Sequence, residues 1–323
     1  MPGYGRRVMA GRRRVSASLL FGTTLGIAGL VFVTVKIHEQ WGQVRHRLAD
    51  VDASWLGLGI LLAIAGMTAI AIAWRPVLVA LGAEQPTRRA VVRWYYVGEI
   101  GKYVPGGIWT FVGRAELARR GGLDRPSAYG SVALSLALLQ VAAACVAAVV
   151  LPFTSITRHS AAAWLVLLVV PVGLALLHHR VLEPLLAFVE RATKRSLTIT
   201  VPPFATTLRL VAGYIPAWLA IGTGTWAIAR AFDAHAPFAS VFAATIVSWI
   251  VGFLVLVVPG GVGVRESVFV AVLTLPGGVA ATTALVARLV FMVVDGAGAI
   301  FTPIIFRRHG NATTAGSAQT LQP

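Results

Sequence analysis

"VVPGGVGVRESVFVAVL", residues 257–273, interrupts a hydrophobic run with Pro259-Gly260-Gly261 and then sets Arg265 beside Glu266. Proline lacks an N–H and fixes φ, and glycine loosens the backbone, so a helix ends before the break. Gly263 permits close backbone approach, and a second helical piece begins near Val262 with Arg265 and Glu266 on its first turn. A glutamate there suits the helix dipole, whereas an arginine does not. Adjacent residues do not share a helix face, so each charge needs its own partner.

The rest of the chain says what surrounds this break. Of 323 residues, 57% are hydrophobic and 12% charged, and the mean hydropathy is +0.78. Soluble domains carry about 25% charged residues. Apolar runs of 18 residues or more cross about 30 Å of hydrocarbon as helices. Six such spans are predicted, at about 17–35, 54–74, 127–151, 161–178, 208–230 and 281–306. The expected fold class is therefore all-α, a polytopic membrane helix bundle of six to eight spans.

Two further apolar segments, about 94–118 and 238–275, carry the Pro-Gly-Gly breaks Pro105-Gly106-Gly107 and Pro259-Gly260-Gly261. Broken backbone at membrane depth survives only where protein or a water-filled cavity covers it. Each segment is read as a re-entrant hairpin. With the N-terminus inside, cytoplasmic segments hold 20 Lys and Arg and external ones 5, as the positive-inside rule requires. Counting 238–275 as two crossings gives the eight-span alternative.

The two halves, 17–151 and 161–306, then follow one plan in opposite orientation. Paired, interrupted segments in an inverted repeat are a transporter signature. The layout is a basic cytoplasmic N-terminus (1–16), one transmembrane domain (17–306) and a cytoplasmic tail (307–323) expected to be disordered. Trp41, Trp55, Trp74, Trp94 and Trp164 lie near span ends, where interfacial tryptophans sit. Residues 180–195 read as an amphipathic surface helix.

The net charge of +16 is distributed between apolar spans, so anionic lipid headgroups, not nucleic acid, are the expected partner. Cys145 alone excludes an intrachain disulfide and a cysteine-rich metal site. No cofactor or metal site is expected. Gly22 and Gly26 fit a small-residue dimer face, and a homodimer or an envelope-biosynthesis enzyme are further partner readings.

Charges inside apolar segments are expensive and mark function. The candidate lipid-binding residues are Glu99, Lys102, Arg114 and Glu116 in the first broken segment, Arg265 and Glu266 in the second, and Arg288 and Asp295 in the last span. Arg288 and Asp295 are seven apart and share a helix face; Arg288 is a candidate partner for Glu266. Arg114 reads equally as an anchor at headgroup level.

Residues 257–270, VVPGGVGVRESVFV, resemble the GG-x-G-x-R-E signature of the lysylphosphatidylglycerol synthase transmembrane-region family, the flippase half of the bacterial multiple peptide resistance factor. Residues 101–122, GKYVPGGIWTFVGRAELARRGG, resemble the first interrupted segment of its stand-alone inner-membrane members. Here Gly113-Arg114 and Ala115-Glu116 stand where the flippase half usually carries Gly-Glu. The resemblance, over roughly 15–306, implies movement of a phosphate-bearing lipid or lipid-linked envelope precursor across the bacterial cytoplasmic membrane. It does not imply synthase activity, which belongs to a large appended cytoplasmic domain. The alternatives are an intramembrane glycosyl or aminoacyl transferase and a scaffold for an envelope-polymer enzyme.

Overall fold

The computed structural model describes residues 51–103, 108–154, 168–193, 202–254, 263–273, 275 and 278–317. The expected first span (17–35), the Gly22/Gly26 pair, both Pro-Gly-Gly breaks (Pro105, Gly106, Gly107, Pro259, Gly260, Gly261), the start of 161–178 and the end of the tail lie outside them.

The described regular structure is helical throughout. In chain order it comprises α1 (Ala53–Ala80), α2 (Arg88–Glu99) followed by a 3-10 turn (Ile100–Tyr103), α3 (Trp109–Arg120), α4 (Arg125–Val150), α5 (Val169–Leu177), α6 (His179–Thr193), α7 (Phe204–Arg230), α8 (Phe238–Leu254), α9 (Val264–Val272) and α10 (Val279–Ser317). Four stretches, Ala53–Ala80, Arg125–Phe153, Phe204–Arg230 and Val279–Phe306, are long and apolar enough to cross a bilayer. The chain is a multi-pass membrane helix bundle.

Local chemistry sets the helix starts. Asp52 accepts from the Ser54 and Trp55 N–H groups, Thr87 from Ala90, and Asp124 from Ser127. Each satisfies donors that the first turn leaves open. The 54–74 reading stopped α1 too early. The helix runs through Pro76 because the next turn is buried, with Val77 and Leu78 fully inside. Arg75 also donates to the Pro86 carbonyl at 2.7 Å. In the same way α10 continues to Ser317, past the point where polar composition suggested disorder. A helix already formed across the bundle elongates without a new nucleation cost.

The two longest internal helices run antiparallel. The N–H of Asp52, at the start of α1, donates to the carbonyl of Ala231, at the end of α7 (3.0 Å). Midway along, Gly66 lies against Ala217 and Ile221. A Cβ there would stand 3.2 Å from the Ala217 carbonyl oxygen, so the helices touch backbone to backbone. α1 leads into the α2/α3 hairpin and then α4; α7 leads into the α8/α9 hairpin and then α10. Because α1 and α7 oppose each other, the hairpins issue from opposite ends of the bundle.

Three of the four hairpin helices, α2, α3 and α9, are too short to cross, whereas α8, with 17 residues, reaches the lower limit for a spanning helix. At about 1.5 Å per residue, the 12 residues of α2 and of α3 span roughly 18 Å, and the nine of α9 roughly 14 Å. Both values fall well short of about 30 Å of hydrocarbon. The hairpins also share a sequence that the Pro-Gly-Gly comparison alone overlooks. Tyr95-Tyr96-Val97-Gly98 and Trp249-Ile250-Val251-Gly252 each stand six residues before the break, and Val104 and Val258 each precede the proline.

The Gly66 contact gives a stability test. Gly66→Leu overpacks the α1/α7 seam, at a cost of about 1–3 kcal/mol, and lowers the melting temperature of the detergent-purified protein. Gly57→Leu, where a Cβ meets nothing within 4 Å, leaves it unchanged. Equal melting of the two variants contradicts the antiparallel seam.

Candidate functional site

Residues from both hairpins line a cavity of about 60 Å³. A single water needs roughly 10–15 Å³ by this measure, so the space takes a few waters or one small polar group. Lys102 and Tyr103 reach it from the first hairpin, and Trp249, Arg265 and Glu266 from the second. Arg288 closes it from α10, and Thr225, Thr245 and Ser248 add hydroxyls.

The start of α9 sorts the two adjacent charges. Gly263 takes a positive φ of 82°, which strains a residue carrying a side chain, and sets the helix entry. Its N–H donates to Glu266 Oε2 at 2.7 Å, so Glu266 caps its own helix. The other carboxylate oxygen of Glu266 accepts from Arg288 Nη1 at 2.8 Å. Arg288 is the candidate partner named above for Glu266.

Arg265 turns the other way, onto α8. Its side chain lies against Gly252, where any Cβ would collide with it. Its guanidinium sits 4.0 Å above the Trp249 ring, a cation–π contact. Trp249 is held by edge contacts with Trp218 and Phe291, both at 5.5 Å, and Trp218 donates from Nε1 to the Leu139 carbonyl at 2.8 Å. Arg265 Nε is buried without a hydrogen-bond partner among the described residues. No carboxylate among them pairs with Arg265.

The other acids and bases pair off. Asp295 is fully buried and accepts at Oδ2 from Tyr103 Oη (2.7 Å) and from Lys102 Nζ (2.5 Å). Lys102 also reaches Glu99 Oε2 at 3.2 Å. Glu99 lies 3.8 Å from Arg114 Nη1. The cluster thus holds four cations (Lys102, Arg114, Arg265, Arg288) and three carboxylates (Glu99, Glu266, Asp295). The surplus falls on Arg265.

Arg114 lies neither at headgroup level nor in the cavity. It is 1% exposed, packed 4.4 Å over the Trp74 ring and 5.0 Å over Tyr95. It donates to Ser135 Oγ (3.2 Å), which shares a 2.7 Å hydrogen bond with Tyr214. Trp74 and Trp94, expected at the interface, are buried instead; Trp74 forms the floor under Arg114 and donates to Ser131 Oγ. Arg114 is also the counterpart of Arg265 within the repeat. Each arginine packs on the glycine of its own hairpin, Gly98 or Gly252, and on the aromatic residue three positions earlier. The difference is the residue after the glycine: Glu99 in one hairpin, Phe253 in the other.

Glu116 is remote from this cluster. It lies on the outer turn of α3, paired with Arg119 (2.8 Å) and Arg120 (3.4 Å). Hydrogen bonds from Arg119 hold its carboxyl down to about 2. Among the described residues no three His, Cys, Asp or Glu come together as a metal-holding set.

The sequence reading missed Trp249, Tyr103 and the Ser135–Tyr214 pair. Trp249 carried a signal, since Trp249 and Arg265 stand equally far from Val257 and a hairpin folded near that point brings them face to face.

The family model for the lysylphosphatidylglycerol synthase TM region matches residues 16–298. The chain belongs to this family, whose members are membrane regions tied to lipid chemistry. Comparison with curated proteins gave no match.

Two substitutions separate the buried arginine from the surface pair. Arg114→Ala leaves Glu99 with less compensation and opens a hole beneath Trp74. Breaking a buried pair costs about 3–5 kcal/mol, so folded yield in detergent falls steeply. Glu116→Gln leaves yield and melting at parent values. Equal losses in the two variants contradict the placement.

Proposed function

We propose that this protein moves a phosphate-bearing lipid, or a lipid-linked envelope precursor, between the leaflets of the bacterial cytoplasmic membrane. Both hairpins are re-entrant from opposite faces, and both termini are cytoplasmic. The observation that carries the reading is Arg265: a cation inside an apolar bundle, stacked on a fixed tryptophan, facing a cavity, with no carboxylate partner among the described residues. Such a charge is costly to keep at that depth. A lipid phosphate supplies the missing anion, and the planar guanidinium can bind it through two parallel hydrogen bonds. Trp249 fixes the guanidinium plane beforehand, so less side-chain freedom is lost on binding.

Short half-depth helices make this exchange reachable from either side. Lys102 and Tyr103 of one hairpin and Arg265 and Glu266 of the other line the cavity, so withdrawing one hairpin opens the site toward one face while the other remains closed. The acyl chains stay in the bilayer along the outside of the bundle, and only the polar head passes between the hairpins. The excess of Lys and Arg in the segments read as cytoplasmic supports the orientation.

Proteoliposomes carrying a fluorescent phosphatidylglycerol, phosphatidylethanolamine or polyprenyl phosphate test this by reduction of the outer-leaflet label. The parent protein exchanges at least one of them. Arg265→Ala, purified as a folded species, slows that exchange roughly tenfold to a hundredfold, the equivalent of losing one charged hydrogen-bonding partner at about 1.5–3 kcal/mol. Arg265→Lys keeps the charge but loses the planar fork, and falls between the two. Absence of exchange with every lipid, or parent rates in Arg265→Ala, overturns the reading.

A further inference from the structure

Lys102 faces two ways. Its side chain lines the cavity, and its ammonium sits 2.5 Å from Asp295 Oδ2. Asp295 does not line the cavity. It is 0% exposed and lies near the middle of the apolar stretch Val279–Phe306. Tyr103 Oη donates to the same Oδ2, and Oδ1 is buried with no hydrogen-bond partner among the described residues.

The other charged or titratable groups near Asp295 do not replace Lys102. From α2 it faces Glu99, Tyr95 and Tyr96. Glu99 repels it, and neither tyrosine hydrogen-bonds it. On its own helix Arg288 is two turns away and bonded to Glu266. Arg265, on α9, lies over Trp249. Among the described residues the Lys102 ammonium is therefore the one cation paired with Asp295, beside the neutral hydrogen bond from Tyr103. A carboxylate left alone at such depth protonates rather than staying charged.

An anion in the cavity competes for that same ammonium. We propose that anion binding in the cavity is linked to uptake of one proton by Asp295, so that the lipid headgroup and a proton travel together. The inference rests on the lipid-moving reading for what enters the cavity. In the step, the Lys102 ammonium keeps its three protons and shifts its ion pair from Asp295 Oδ2 to a phosphate oxygen. A proton from water, arriving through the cavity along Lys102 and Tyr103, bonds to the freed Asp295 carboxylate. One negative charge enters with the anion and one positive charge with the proton, so the loaded site carries the same net charge as the empty one. Moving that site across the membrane field then adds no electrical work, and a pH gradient sets the direction.

The linkage fixes the sign of the pH dependence. The bound state holds one more proton than the free state, so affinity rises as pH falls wherever Asp295 is ionised in the free protein, by up to about tenfold per pH unit. Replacing Asp295 with a neutral isostere removes both the proton and the competitor for Lys102.

Calorimetric titration of the full-length protein in detergent tests this with dihexanoyl-phosphatidylglycerol, a soluble phosphodiester whose charge does not titrate near neutrality. Measurement in two buffers of different ionisation enthalpy counts protons directly. The parent protein takes up about one proton per anion bound at neutral pH, and Asp295→Asn takes up none. Asp295→Asn also binds more tightly than the parent at neutral pH, with an affinity that no longer follows pH, a gain that a merely damaged fold does not produce. Binding by the parent protein without proton uptake overturns the linkage and leaves the lipid-moving reading intact. Absence of binding by the parent protein overturns both. The buffer comparison on the parent protein decides the matter even where Asp295→Asn fails to fold.

Discussion

A charge inside a low-dielectric bundle must find an opposite charge, a hydrogen-bond partner or an aromatic face. In this protein that requirement organises the two broken hairpins. With α10 they bring four cations and three carboxylates into one interior region, and the pairing uses every one of those carboxylates. Glu266 caps α9 and holds Arg288; Asp295 holds Lys102 and Tyr103; Glu99 serves Lys102 and Arg114. Among the described residues Arg265 receives the ring of Trp249 and no carboxylate. The cavity exists where the charge balance stays open.

The internal repeat explains how one architecture yields both a lock and an open site. Each half runs long helix, helical hairpin, long helix: α1, α2/α3 and α4 in one, α7, α8/α9 and α10 in the other. Each hairpin buries an arginine against a glycine and an aromatic ring of its own first helix. In the first hairpin Glu99 follows the glycine, and Ser135 and Tyr214 complete the shell around Arg114. That arginine has a carboxylate and a hydroxyl beside it and is walled in, although its Nε, like that of Arg265, finds no hydrogen-bond partner among the described residues. In the second hairpin Phe253 stands at the equivalent place and the arginine faces the cavity instead. The antiparallel contact of α1 and α7 positions the halves so that the locked and the open arginine belong to hairpins from opposite ends of one bundle.

Much of this was legible before any coordinates. Hydropathy located the long spans because a bilayer imposes a length that composition must meet. Arg288 and Glu266 could be matched as partners because few opposite charges exist at that depth. What escaped was whatever depends on contacts between distant segments. Trp74 reads as an interface anchor by position, but Arg114 turns it into a core residue. Arg114 itself reads as a surface anchor because Arg119 and Arg120 follow within the next two turns, and only packing places it inside. Helix ends escaped for a related reason: Pro76 and the polar residues after Phe306 break propensity rules, yet both continue helices already formed through the bundle.

The most direct test of the open charge is an experimental density map of the protein in native-lipid nanodiscs. This account predicts a lipid phosphate at hydrogen-bond distance from the Arg265 guanidinium, above the Trp249 ring and between the two hairpins. A map with lipids only on the outer surface, and a carboxylate of the chain paired with Arg265, contradicts it.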